Sequence, residues 1–350
     1  MPMMLPTHHI LPLTHLRRLR MLTEKGRVLV RSGQTVEATD IIAEAPAPGQ
    51  HLLLDVRKAL GVQRVTDAER LIERRVGEQV EKGDILAQTR GLFSRILRAP
   101  VPGRIAAIYK GQILLEVASQ PYRLLAGLPG RVAEVFPERG AIVETHGALI
   151  QGVWGNRQSN NGVLTMLAET PDAPLKPEVL DLTLRGSVIV GGICYQPEAL
   201  KMAAEIPVRG IILGSLSAPL LPLAASLNLP VILLEGVGQI PINRLAFQLL
   251  NTNQKRDVYL LATWNPRLSE KPEIVIPLPA DGKAPEEAVE ITVGQTVRLA
   301  LPPYAGNIGK VIQPHTSWLQ RSGQRLPAAE IELENTQRVT VPLFNLEIIA

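Results

Sequence analysis

The residues of this 350-residue chain that could do chemistry are few and scattered. Cys194 is the sole cysteine, which excludes an intrachain disulfide, and it closes the apolar run "SVIVGGIC". A thiol nucleophile needs a base beside it, and spacing alone supplies none; a lone cysteine after an apolar run otherwise reads as core. Glu235 stands at the end of another apolar run and is the best isolated acid for proton transfer, but it has no visible partner. Of six histidines, His8, His9 and His15 fall near the N-terminus, and His51, His146 and His315 are dispersed. The His8-His9 pair lacks further ligands at metal spacing, so no zinc site is expected. The polar loop "GVWGNRQSNNGVL", Gly152 to Leu164, is not a phosphate loop of the Walker type, because no lysine followed by Ser or Thr closes it. Asn161-Gly162 is a tight-turn signal instead, and the loop reads as a hairpin or connector, with a polar ligand loop as the alternative. There is no nucleophile elbow, dinucleotide fingerprint or metal motif. The reading is therefore of no catalytic, cofactor or metal residues.

Elements must position whatever remains. From Ser187 to Trp264 four apolar runs, SVIV, GIIL, PVILL and DVYLLA, alternate with helical segments starting at Pro197, Ala218 and Asn243. Runs apolar on both faces and separated by helices predict a small parallel α/β sheet. A ligand of such a sheet lies beyond the carboxyl ends of its strands. Those ends place Gly191, Gly192 and Cys194 beside Gly214 and Ser215 and beside Glu235, Gly236 and Gly238, an expected shallow pocket. Glu235 would repel a phosphate there, so a polar or cationic guest is expected. The alternative is that the glycines only let strands turn into helices. "GIILGSLSAPLLPLAASLNLPVIL" vaguely resembles the swivelling phosphohistidine domain, but eleven residues before Pro230 stands Pro219, not a histidine.

The N-terminal third repeats itself. In "VRSGQTVEATDIIAEA" and "RVGEQVEKGDILAQT", Gly33, Val36, Asp40 and Ala43 match Gly77, Val80, Asp84 and Ala87 at identical offsets. "PGRIAAIYKGQILLEV" and "PGRVAEVFPERGAIVET" repeat in the same way, from Pro102 and Pro129. Dense short strands with glycine turns mean small β-modules. Thr66 and Glu69 form a capping-box pattern ahead of Ala68, Leu71 and Ile72, predicting a helical insert over 55–75. "VGEQVEKGDILAQTRGLFSRILRAPVPGRI" resembles the lipoyl/biotinyl barrel-sandwich hybrid, with an echo in Gly26 to Ala45. Carrier members of that family place a modifiable lysine eight residues before the proline of "AP". Here that position is Leu92, and no lysine lies between Asp84 and Pro100. The resemblance implies the fold, and related hybrids serve as docking or adaptor modules; it argues against a lipoyl or biotinyl arm. "ITVGQTVRLALPPYAGNIGKVIQPH" resembles the KOW motif of SH3-like barrels through Gly294, Val297, Arg298, Gly306, Gly309 and Val311. KOW modules bind RNA or RNA polymerase, but the bases here (Arg298, Lys310, Arg321, Arg325, Arg338) are balanced by Glu330, Glu332, Glu334 and Glu347.

The expected organisation is multidomain β plus α/β: an N-terminal tail over 1–25, lipoyl-like β-modules over 26–165, a linker over 166–186, an α/β domain over 187–265, a second linker over 266–288 and a KOW-like barrel over 289–350. Aromatics are 3% of the chain, so its cores must be aliphatic. With 37 basic and 33 acidic residues the net charge is +4, too weak to imply nucleic acid by itself. No apolar run reaches the length of a membrane span, and the N-terminus lacks a secretory pattern, so a cytoplasmic location is expected. The expected function is a non-catalytic scaffold or adaptor binding partner proteins, or self-associating as a homo-oligomer. A small-molecule or catalytic α/β domain, and RNA or translation-machinery binding through the KOW-like module, are the alternatives.

Overall fold

The computed structural model describes residues 3–46, 49–90, 94–117, 121–265, 270–280, 282–285, 288–320 and 323–349. Strands dominate, as the density of short alternating runs predicts. Among the described residues an eleven-stranded sheet forms the spine. Its parallel part joins strands 159–166, Ser187–Cys194, Gly210–Leu216 and Val231–Val237. Helices Pro197–Glu205, Leu221–Ser226 and Arg244–Thr252 fill the crossovers. Pro197 opens the first of these helices, where its missing N–H costs nothing. Asn243 caps the last by accepting from Ala246 N at 2.9 Å. The fourth apolar run, Asp257–Leu261, departs from expectation: it pairs antiparallel with 159–166.

Three segments expected as tail or linker are structural. Met4–His8 and Ile10–Met21 are strands, the first in the C-terminal sheet and the second along Gly140–Gln151. Residues 166–186 carry Leu175, Leu180 and Leu184 into the α/β core. Glu273–Pro277 lies inside the spine, between Asp257–Leu261 and Gly140–Gln151. In each case a few buried aliphatic residues outweigh proline and charge in the composition. Asn161-Gly162, read as a tight turn, is mid-strand: Asn161 faces Tyr259 and Gly162 faces Val258. The chain turns earlier, at Arg157, which holds φ 66°.

The repeat is geometric as well as sequential. In the outer module Gly33 N donates to Val132 O at 2.7 Å, and in the inner one Gly77 N donates to Ile105 O at 2.8 Å. Asp40 and Asp84 each accept from the amide three residues back, at 2.8 and 3.1 Å. Strand order also matches: 35–36, 130–136, 140–151 and 10–21 in the outer module correspond to 79–80, 103–109, 112–117 and 51–55 in the inner one. The inner module is inserted between strands Ile41–Ala45 and Tyr122–Leu125, which pair with each other (Ala45 opposite Tyr122). Its helices, Val56–Leu60 and Val65–Arg70, confirm the helical insert, but the capping box does not form. Arg64, without a side-chain cap, precedes the second helix, and Thr66 lies inside it. At the C-terminus, Ala288–Glu290, Met4–His8, Leu346–Ile349, Thr296–Leu299, Ile308–Leu319, Arg325–Leu333 and Arg338–Pro342 form a second sheet in that order.

Candidate functional site

The parallel strands bring the predicted residues together, and the chain itself covers them. Gly191, Gly192, Cys194, Gly214 and Ser215 are all buried. Residues 171–175 cross the strand ends: Ala173 O accepts from Gly192 N at 3.0 Å, and Leu175 N donates to Ile193 O at 2.8 Å. A Cβ on Gly192 would lie 2.4 Å from Ala173 O. The loop leaving Glu235 closes the other side. Ser215 Oγ faces Ile240 O at 2.8 Å and Gly238 O at 3.1 Å, and accepts from Ile240 N at 2.9 Å. Ile242 N then donates to Pro171 O at 3.0 Å, joining the two covers. A Cβ on Gly214 would lie 2.8 Å from Ile242 N. Gly236 and Gly238, at φ 122° and 132°, allow the turn. The expected pocket at this end is thus filled by backbone.

Cys194 ends its strand fully buried, and its thiol points at Gln196 O, 3.6 Å away. Burial pushes the thiol up to about 11, so it stays protonated at neutral pH. Glu235 is not isolated. Its Oε1 accepts from Asn243 N at 3.0 Å and Asn243 Nδ2 at 2.6 Å, and its Oε2 lies 3.0 Å from Arg298 Nε. Burial pushes its carboxyl up, against the pull of Arg298 and Asn243. Arg298 also reaches Glu347 Oε2 at 3.1 Å, and Lys271 Nζ holds the other Glu347 oxygen at 2.7 Å. His8 Nδ1 lies 3.5 Å from Glu347 Oε2. Burial opposes the charge of Glu347, but His8, Lys271 and Arg298 hold it down at about 2. Burial pushes His8 down to about 3, so it is neutral at neutral pH. This chain of charges fastens the C-terminal sheet to the spine. Arg298, counted in the sequence among the balanced bases of the KOW-like module, is 1% exposed. No spacing rule links positions 8, 235, 298 and 347, so sequence reasoning missed the cluster.

In the polar loop, Asn156 clamps the spine: Nδ2 faces Ala224 O, Leu227 O and Leu229 O at 3.2, 3.2 and 2.8 Å, and Oδ1 accepts from Val231 N at 3.0 Å. Asn160 instead lines a cleft of about 550 Å³ at the amino ends of the parallel strands, with Arg185, Arg209, Ser226 and Asn228. Neither arginine pairs with a carboxylate among the described residues. A second cleft, of about 820 Å³, lies between Leu5–Thr7, Arg18–Arg20 and Ala126–Leu128. Its charges are largely paired: Arg18 grips both oxygens of Glu273 at 2.6 Å, and Lys271 serves Glu347.

Among the described residues no group of three or more His, Cys, Asp or Glu could hold a metal ion. His8 ends a strand and His9 follows it, both buried, and neither lies in a tail. Leu92 and Arg321 fall outside the described residues. Among the described residues no helix is long and apolar enough to cross a membrane. No protein-family model matches the chain, and no curated protein matches it.

Proposed function

We propose that this chain is a non-catalytic multidomain scaffold or adaptor that binds partner proteins through its β-modules. The observation that carries the reading is the covered end of the parallel sheet. Where α/β proteins hold ligands, backbone from 171–175 and 238–242 occupies the crevice. The buried thiol of Cys194 and the committed carboxylate of Glu235 point the same way. The sequence resemblance of the nested modules to barrel-sandwich hybrids without a carrier lysine, and of the C-terminal module to a KOW-type SH3-like barrel, supports the reading. Residues 50–117 hold twelve Lys or Arg against eight Asp or Glu, the whole of the chain's +4 net charge. Acidic protein surfaces are therefore the favoured partners. The test is affinity purification of the tagged full chain from its native host with cross-link mapping. Cross-links from one stoichiometric partner concentrated on residues 50–117 and the C-terminal sheet support the reading. A stoichiometric small molecule retained in native mass spectrometry, with no protein partner, overturns it.

A second reading rests on the Arg185–Arg209 cleft. Two guanidiniums without carboxylate partners among the described residues, with Asn160 and Asn228, suit a small anion. Inorganic phosphate binding that is lost in Arg185→Ala and Arg209→Ala would promote this reading over the scaffold.

A further inference from the structure

We propose that two copies of this chain pair edge to edge, antiparallel, through the strand His51–Asp55 of the inner module. This goes beyond the scaffold reading and does not depend on it. The strand is the outermost of its sheet and, among the described residues, pairs only with Gln112–Val117. Its sequence is "HLLLD", with no lysine, arginine or proline to blunt the edge. Leu53 is 62% exposed and Leu52 37%.

The outer module supplies an internal comparison. Its strand in the same position, Ile10–Met21, is protected. The Lys283 carbonyl accepts from His15 N at 2.9 Å and Thr14 Oγ1 at 2.7 Å, and Arg17, Arg18 and Arg20 follow along the strand. The fold is repeated, but the protection of its edge is not.

The identity of the occupant follows from the order of residues. Side chains alternate along a strand, so His51, Leu53 and Asp55 share one face. Opposite them on the neighbouring strand stand Glu116, Leu114 and Gln112. A two-fold axis at Leu53 sets that leucine against its own copy, and sets each His51 opposite Asp55 of the second copy. The result is one continuous row of four leucines flanked at each end by a His51–Asp55 pair, and the patch complements itself, as an isologous interface must. On the other face Leu52 meets Leu54 of the second copy. Five residues a side make a small interface, so the association is weak and reversible.

Sedimentation velocity of the full chain across the micromolar range tests this. A reversible monomer–dimer equilibrium is expected. Leu53→Lys, at an exposed position that leaves the fold intact by circular dichroism, raises the dissociation constant about tenfold or more, since like charges then face each other. His51→Glu weakens the dimer as well, because it faces Asp55, whereas His51→Lys retains it. Leu182→Lys, at an exposed site elsewhere, changes nothing. A chain that stays monomeric throughout, or a dimer indifferent to both Leu53→Lys and His51→Glu, overturns the proposal.

Discussion

Arg298 Nε sits 3.0 Å from Glu235 Oε2 across 63 residues of chain, with both side chains withdrawn from solvent. One residue belongs to the C-terminal sheet and the other to Val231–Val237, the penultimate strand of the spine. The pair therefore joins two sheets that also meet through Ile349, which packs against the core of the spine. Removing one partner of a buried ion pair strands the other. Arg298→Met is expected to cost about 3–5 kcal/mol in urea unfolding. Adding Glu235→Gln should recover part of that loss, because the unpaired charge is gone. Equal loss in single and double variants would show that the pair is not coupled.

The same cluster makes stability acid-sensitive, and the sign is fixed by His8. Its folded value of about 3 lies below the ordinary 6.5, so the unfolded chain binds the proton first. Its contribution is complete above 6.5 and is lost as pH falls toward 3. Glu347, held at about 2 against an ordinary 4.5, adds a loss in the same direction at lower pH. Urea unfolding between pH 6 and 4 should show stability falling by about 1.4 kcal/mol per pH unit from His8 alone. His8→Leu should flatten that limb. An unchanged slope would mean that His8 titrates normally.

Gly192→Ala should destabilise by about 1–3 kcal/mol, because the added carbon meets a backbone oxygen that cannot move alone. The clash is with Ala173 O, so the covering segment must lift. Hydrogen exchange at Gly192 and Ile193, whose amides donate to Ala173 O, should rise in the variant. Unchanged protection would show that the cover is not seated there.

Asn156 and Asn160 lie in one polar stretch of sequence, Asn160 already within a strand, and should behave differently. Asn156→Ala leaves three carbonyls and one amide short of a partner and should cost about 1–3 kcal/mol. Asn160, whose side chain among the described residues bonds only the adjacent Asn161 N, should tolerate alanine within about 0.5 kcal/mol. Thermal melts of the two variants distinguish these outcomes.

Intact mass of the native protein should show neither a lipoyl nor a biotinyl increment. Leu92 stands where a carrier would need an amine. A matching increment on any lysine of the inner module would reverse this expectation.

Local signals were legible where the residues that make them are close in sequence. Pro197 and Asn243 start helices because their backbone chemistry acts within one turn. The Gly33 and Gly77 repeat marks equivalent turns for the same reason. Long-range pairings were not legible. Asn161-Gly162 carries a turn signal, yet pairing with Tyr259 and Val258 draws it into a strand. The apolar runs carrying Gly191 and Gly214 are neighbouring parallel strands, but nothing in "TPDAPL" announces that it will cover them. Glu235 seemed unpartnered because its partner arrives from another sheet.

The nested topology also dictates an order of assembly. Ala45 can find Tyr122 only after the whole inner module has been made, and His8 finds Ile349 only when the last strand exists. A chain growing at about 5–20 residues per second thus finishes its inner module first and its outer module next. Among the described strands, Met4–His8 waits longest for its partner. Until then Glu347 has not reached Lys271 and Arg298, and the seam around Glu235 stands open. Residues 4–8 are thus made long before the strand that covers them, and during that interval the growing chain depends on whatever shields it from its neighbours.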